Sequence, residues 1–286
     1  MRRQQVGFAS GGQMSDQQRV VLVTGASSGN GKAIAEDLSR RGYFVFAAAR
    51  SENKLEAIRS EHIEPLPLDV TDGDAVFKAV ERIAASKGRL DVLVNNAGYG
   101  LYGTIEGATQ EQVRHVFDVN VLGYGRVIQA ALPLMRAQGS GLIINMSSVV
   151  GKLSIPVLGW YAATKHAIEG MSDALRLEVK QFGIHVVLIE PSYLNTGFEA
   201  AAMAQLEASN DPQAYARLLA AYRRGFRKGY ANAPGPEVVV AAVNKAIAAR
   251  HPKARYRPSR ESMMLIILRG LLTDRLFDAM VEMLYK

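Results

Sequence analysis

The chain has 286 residues, a formal net charge of +7, 48 % apolar and 21 % charged residues, and no cysteine. That balance supports a sizeable core, and the missing cysteine excludes disulfides and thiolate metal sites. No apolar run reaches the roughly 18 residues that a membrane-spanning helix needs, so the expectation is a cytoplasmic protein with no transmembrane segment and no nucleic-acid partner. The leading MRRQQVGFASGGQMSDQQR has twin arginines but no apolar stretch behind them, and it fails as a secretory signal. Residues 1–18 read as a disordered tail, with Met14 as an alternative natural start.

Taken in order, RVVLVTG (19–25) predicts a short strand ending in a glycine turn, and KAIAEDLSRRG (32–42) a helix stopped by glycine. YFVFAAAR (43–50) predicts a strand, KLEAIRS (54–60) a short helix, and IEPLPLDV (63–70) a strand kept brief by its prolines. DAVFKAVERIAASKG (74–88) predicts a helix, and LDVLVNNAG (90–98) a strand leading into a turn. Residues 109–138 read as one long helix or two abutting ones. LIINMSS (142–148) is a strand, 160–182 a helix and GIHVVLIEP (183–191) a strand. Beyond Pro191 the regularity breaks. Residues 195–235 are helical in propensity without a strand partner, 236–250 is a helix, ARYRP (254–258) a last short strand, and 261–284 a single amphipathic helix. The alternation predicts a doubly wound parallel sheet of Rossmann type over residues 19–258, with a C-terminal helical extension at 259–286.

The first turn reads TGASSGNG, with Gly25, Gly29 and Gly31 spaced G-x-x-x-G-x-G. It joins a strand to a helix N-terminus, whose free N–H groups and dipole favour a pyrophosphate; the alternative is a tight turn without a ligand. At the end of the second strand stands Ala49, where an NAD site needs a carboxylate, and Arg50 follows at once. A guanidinium there suits the 2′-phosphate of NADP(H), and Ser28 offers a further hydroxyl. Later, WYAATK places Tyr161 and Lys165 one helical turn apart, where an ammonium favours a phenolate and equips a general acid/base.

With TGASSGNG, NNAG and YAATK in this order, the chain resembles the short-chain dehydrogenase/reductase family, closely over about residues 19–200 and, in its C-terminal layout, the hydroxysteroid/retinol dehydrogenase-like subgroup. The resemblance implies an oxidoreductase that interconverts a carbonyl and an alcohol by hydride transfer. It assigns Tyr161 as the general acid/base, Ser148 as its hydroxyl partner, Lys165 as the stabilising cation, and Asn120, in DVNVLG, as holder of a water toward that lysine. For the cofactor it implies Gly25, Ser27, Ser28, Asn30, Gly31, Arg50, Asp69, Val70, Asn96, Ala97, Gly98, Tyr161, Lys165, Pro191 and Thr196. Segment 195–235 is expected to close over the substrate, and Leu101, Tyr102, Leu153, Trp160, Tyr193 and Phe198 to line an apolar cleft. Two departures stand out: Asn30 replaces an aliphatic residue of the glycine motif, and Ser192 a glycine after Pro191.

The partner is expected to be a lipophilic carbonyl or alcohol, with the chain forming a homodimer or homotetramer. Between Arg217 and Arg269 stand twelve basic residues and only two acids, Glu237 and Glu261. This run is either a solvated face or a surface for an anionic partner, such as an acidic carrier protein or a CoA ester. MMLIILRGLL (263–272) is too short to span a bilayer and reads as a docking or subunit-contact helix. Two rival readings follow: a ketoreductase for carrier- or CoA-bound acyl chains, and a non-catalytic NADP(H)-sensing module.

Overall fold

A computed structural model describes residues 18–284. Seven strands, β1 (Val20–Thr24), β2 (Phe44–Ala49), β3 (Ile63–Pro67), β4 (Val92–Asn95), β5 (Gly141–Met146), β6 (Ile184–Ile189) and β7 (Arg255–Tyr256), form one parallel sheet in the order 3-2-1-4-5-6-7. Its central strands are apolar on both faces because helices cover both. One face packs on α1 (Gly29–Arg40), α2 (Glu52–Glu56) and α9 (Glu237–Ala248), the other on α3 (Gly73–Lys87), α5 (Gly123–Gln138) and α6 (Gly159–Glu178).

Of the two alternatives for 109–138, the structure has abutting helices, α4 (Gln110–Phe117) and α5, joined by one π turn, Asp118–Leu122. A capping box on Thr109 and Gln112 starts it. The π turn carries Asn120, in keeping with the tendency of such irregularities to mark functional positions.

After β6 the chain forms α7 (Phe198–Glu207), α8 (Ala216–Tyr230), α10 (Arg260–Leu271) and α11 (Asp274–Leu284). The single helix expected at 261–284 is therefore two. Leu272 turns extended, and the Thr273 carbonyl accepts the first bond of α11 from Phe277 N at 2.9 Å. These helices do not stand apart from the body of the protein. Leu206, Leu219, Tyr222, Phe226, Phe277 and Val281 bury themselves with Tyr102, Val150, Leu153 and Leu158 in a third apolar cluster at the strand ends.

Of the expected tail, residues 1–17 lie outside the described residues, while Gln18 already hydrogen-bonds Gly42 O at 2.9 Å. Among the described residues no helix is long and apolar enough to cross a membrane.

Candidate active site

The chain reverses its winding between β1 and β4, and at such a switch point the strand ends open into a crevice. A cavity of about 1200 Å³ lies there. Its lining comes from residues that directly follow successive strands: Gly25 and Ser27 to Asn30 after β1, Arg50 after β2, Leu68 to Val70 after β3, Asn96 to Tyr99 after β4, Ser147 to Val150 after β5, and Pro191 to Leu194 after β6.

The turn after β1 is built for close approach. Gly25 has φ +67°, and a Cβ on it would sit 2.8 Å from Ala97 Cα; one on Gly31 would run into Gly25 O. Asn96 secures the turn by donating from Nδ2 to Thr24 O at 3.0 Å. Ser28 begins α1 in extended conformation without a side-chain cap, and the first turn carries no acid. The helix therefore presents uncapped N–H groups to the cavity. Asp69 folds back on itself, accepting from Thr71 N at 2.9 Å and Thr71 Oγ1 at 2.8 Å. Burial pushes its carboxyl up, but the Thr71 bonds and the nearby Arg50 guanidinium outweigh this and hold it below the usual range. Close-packed glycines, free helical N–H groups, an exposed Arg50 and an orphaned Asn30 Oδ1 all fit a dinucleotide. Ser27 and Val70 line the same side; Gly31 does not, because it packs under the turn.

At the other end, Ser148, Tyr161 and Lys165 meet on the cavity wall. Ser148 donates to Pro191 O at 3.3 Å and lies within hydrogen-bonding reach of the Tyr161 phenol. Burial raises the phenol well above its ordinary value, and the Ser148 bond offsets this only in part, so Tyr161 is protonated at neutral pH. Lys165 is 5 % exposed; burial lowers its ammonium from 10.5 to about 8, against the opposing pull of Glu169 one turn on. Its Nζ donates to Met146 O at 2.7 Å and lies 5.7 Å from the Tyr161 ring centre. Asn120, fully buried, does not line the cavity. Its Nδ2 donates to Tyr99 O and Thr164 Oγ1, and its Oδ1 accepts from Tyr99 N. Both side-chain N–H groups are engaged, and the residue pins the loop after β4 to α6.

Tyr102, Leu153, Tyr193 and Phe198 line the apolar end, with Thr196 at its border. Leu101 and Trp160 do not. Leu101 is buried outside the cavity, and the Trp160 indole donates to Ile105 O at 3.3 Å, which turns it toward that loop. Asp211 ties the segment 195–235 to the loop after β4, accepting from Thr104 N at 2.7 Å and from Thr104 Oγ1 at 2.6 Å. Motif reasoning missed the rest of this wall: Tyr230 from α8, Leu265 from α10, and Phe277, Met280 and Val281 from α11. The 3- and 4-residue spacing of Phe277, Met280, Val281 and Leu284 marks an apolar helix face in the sequence, but not what it covers.

The departure at Ser192 has a physical reason. Its hydroxyl meets Ser259 Oγ at 2.9 Å, and Ser259 caps α10 through Ser262 N at 3.2 Å, tying the loop after β6 to the C-terminal helices. Within the basic run at 217–269, Arg255 and Arg257 pair with the buried Glu190 at 3.1 and 2.8 Å, and Arg255 also reaches Glu169 at 2.9 Å. Arg217, Arg224, Arg227 and Lys228 form the exposed face of α8.

Comparison with known proteins agrees with this geometry. Residues 19–207 match the family model described as short chain dehydrogenase. A 3-ketodihydrosphingosine reductase from Bacteroides thetaiotaomicron is 38 % identical over 240 residues, covering 84 % of this chain and 87 % of that protein. An NADPH-dependent 3-dehydrocapnine reductase from Ornithobacterium rhinotracheale is 34 % identical over 269 residues, covering 91 % and 95 %. Among solved structures, a short-chain dehydrogenase from Streptomyces avermitilis superposes with a TM-score of 0.78 at 32 % identity, over 94 % of this chain and 96 % of that one. One from Burkholderia phymatum, in complex with NAD, gives 0.76 at 26 % identity, over 90 % and 95 %. With a family model spanning most of its sheet and relatives aligned over nearly its whole length, this chain belongs to the short-chain dehydrogenase/reductase family, oxidoreductases that use a nicotinamide dinucleotide.

Proposed function

We propose that the protein is an NADP(H)-dependent reductase that converts a ketone on a long lipophilic molecule to a secondary alcohol, with Tyr161 as proton donor. The observation that carries this reading is the meeting of Ser148 and Tyr161 where a polar, glycine-lined half of one cavity joins an aromatic and aliphatic half. The dinucleotide, when bound, supplies the hydride. The chain's own groups then manage charge and the proton. Ser148 donates a hydrogen bond to the oxygen on which negative charge develops, and Tyr161 gives that oxygen its proton. The Lys165 ammonium stabilises the phenolate left behind.

Preference for NADP(H) is supported by the exposed Arg50 at the end of β2 and by the absence of a carboxylate at Ala49. A lipophilic substrate is supported by the wall of Tyr102, Phe198, Tyr230, Phe277, Met280 and Val281. The names of two relatives, each a reductase of a 3-keto or 3-dehydro compound, point the same way. The four exposed cations of α8 favour a second reading, in which the acyl chain arrives on an anionic carrier.

The test follows NADPH absorbance with long-chain and short ketones and with carrier thioesters, using wild type and Tyr161→Phe. Turnover of free long-chain ketones that falls at least a hundredfold in the variant supports the reading; salt-sensitive turnover of thioesters alone moves the assignment to the carrier.

A further inference from the structure

The residues that α7, α8, α10 and α11 contribute to the cavity wall carry hydrocarbon or thioether side chains, with one exception among the described residues: Tyr230, the last residue of α8. Its ring is held on two sides, its centre 5.0 Å from that of Tyr193 and 4.5 Å from that of Phe226. Gly229 makes this fit possible, because a Cβ there would stand 2.7 Å from the Tyr193 ring. The Tyr230 hydroxyl has no hydrogen-bond partner among the described residues, yet the side chain is only half-buried and the oxygen keeps accessible surface. Burial raises this phenol above its ordinary value, and the Tyr161 phenol adds to the rise, which sets the hydroxyl on the Tyr161 side of the cavity. A hydroxyl so placed is a liability for a substrate that is hydrocarbon on both sides of its ketone. Closing such a chain over it strips away its water and returns no bond, a loss that a phenylalanine there avoids.

We propose that Tyr230 is a specificity-determining residue whose hydroxyl bonds a second polar group of the substrate, a hydroxyl or an amine on a carbon close to the ketone. Its effect is to select long-chain ketones functionalised beside the carbonyl over plain ones. This rests on the reductase reading above and narrows its substrate class. A site with a buried hydroxyl to satisfy rejects the analogue that lacks the matching group far more strongly than an apolar pocket rejects an added one.

The experiment follows cofactor absorbance, with NADPH or NADH, for wild type and Tyr230→Phe on ketones of one chain length: plain, hydroxylated on the carbon next to the carbonyl, and aminated there. Wild type is expected to prefer a functionalised ketone over the plain one by about tenfold or more in kcat/KM. In Tyr230→Phe that ketone should lose about tenfold, as one hydrogen bond implies, while the plain ketone gains. Whichever of the hydroxyl and the amine loses more is the group that Tyr230 holds, and thermal unfolding shows that the variant is folded. An equal loss on every ketone overturns the proposal, because the phenol then serves the reacting carbonyl or the fold. So does a wild type that prefers the plain ketone, or a variant that keeps the wild-type preference. If wild type reduces none of these ketones with either cofactor, the reductase reading itself falls and takes the proposal with it.

Discussion

Replacing Lys165 by methionine separates what this side chain does for the fold from what it does for the reaction. Holding an ammonium in the interior lowers its pKa from 10.5 to about 8, a cost of about 3 kcal/mol to the folded state at any pH below 8. The sign follows from linkage: between pH 8 and 10.5 the unfolded chain binds more protons than the folded one, so the penalty is relieved as pH rises through that window. Against the gain from removing the charge stands the loss of the Nζ bond to Met146 O, worth about 1.5–3 kcal/mol for a charged donor. That carbonyl is not orphaned, because Tyr124 OH also donates to it at 3.3 Å. Glu169 in turn keeps Lys152 at 2.7 Å and Arg255 at 2.9 Å. The balance favours the variant by about 1 kcal/mol, or about 2–4 °C in a domain of this size. Calorimetry at pH 7 is expected to find that rise, with carbonyl reduction down at least a hundredfold. A midpoint lowered by more than about 4 °C would refute the reasoning, since Lys165 would then be holding the fold together instead of being held in it at a cost.

Further outcomes follow from the same geometry. The kcat/KM for reduction should decline as pH rises through about 8, because Lys165 loses its charge there while the phenol, raised by burial, keeps its proton; a profile flat from pH 6 to 10 contradicts the role given to the lysine. Arg255→Ala strips counter-charge from Glu169, Asp173 and Glu190 and should cost about 3–5 kcal/mol in urea unfolding. Burial already raises the Glu190 carboxyl, so protonation relieves it, and the defect should be smaller at pH 5 than at pH 8. Val281→Trp thickens the α11 wall and should raise KM about tenfold for long-chain ketones while leaving short ones unaffected; equal effects on both would remove α11 from the substrate end.

What the sequence disclosed and what it withheld divide along a physical line. Gly25, Ser148, Tyr161 and Lys165 were legible because each is fixed by local chemistry at a strand end or within one helical turn, where spacing along the chain is spacing in space. The parallel sheet was legible for the same reason: a strand such as VLVN, buried on both faces, has no polar alternation to conceal it. Residues whose role depends on distant partners were not. Trp160 sits beside Tyr161 in sequence, yet its indole N–H finds Ile105 O, 55 positions away. Phe277 and Val281 lie more than a hundred residues from Tyr161, yet they form the far wall of its cavity. Ser192 joins the two cases. Read alone it is a flaw in a family motif; read with Ser259 it ties the loop after β6 to the C-terminal helices. A substitution that weakens a local motif while making a contact 67 residues away is a sign that these helices are part of the cavity's enclosure.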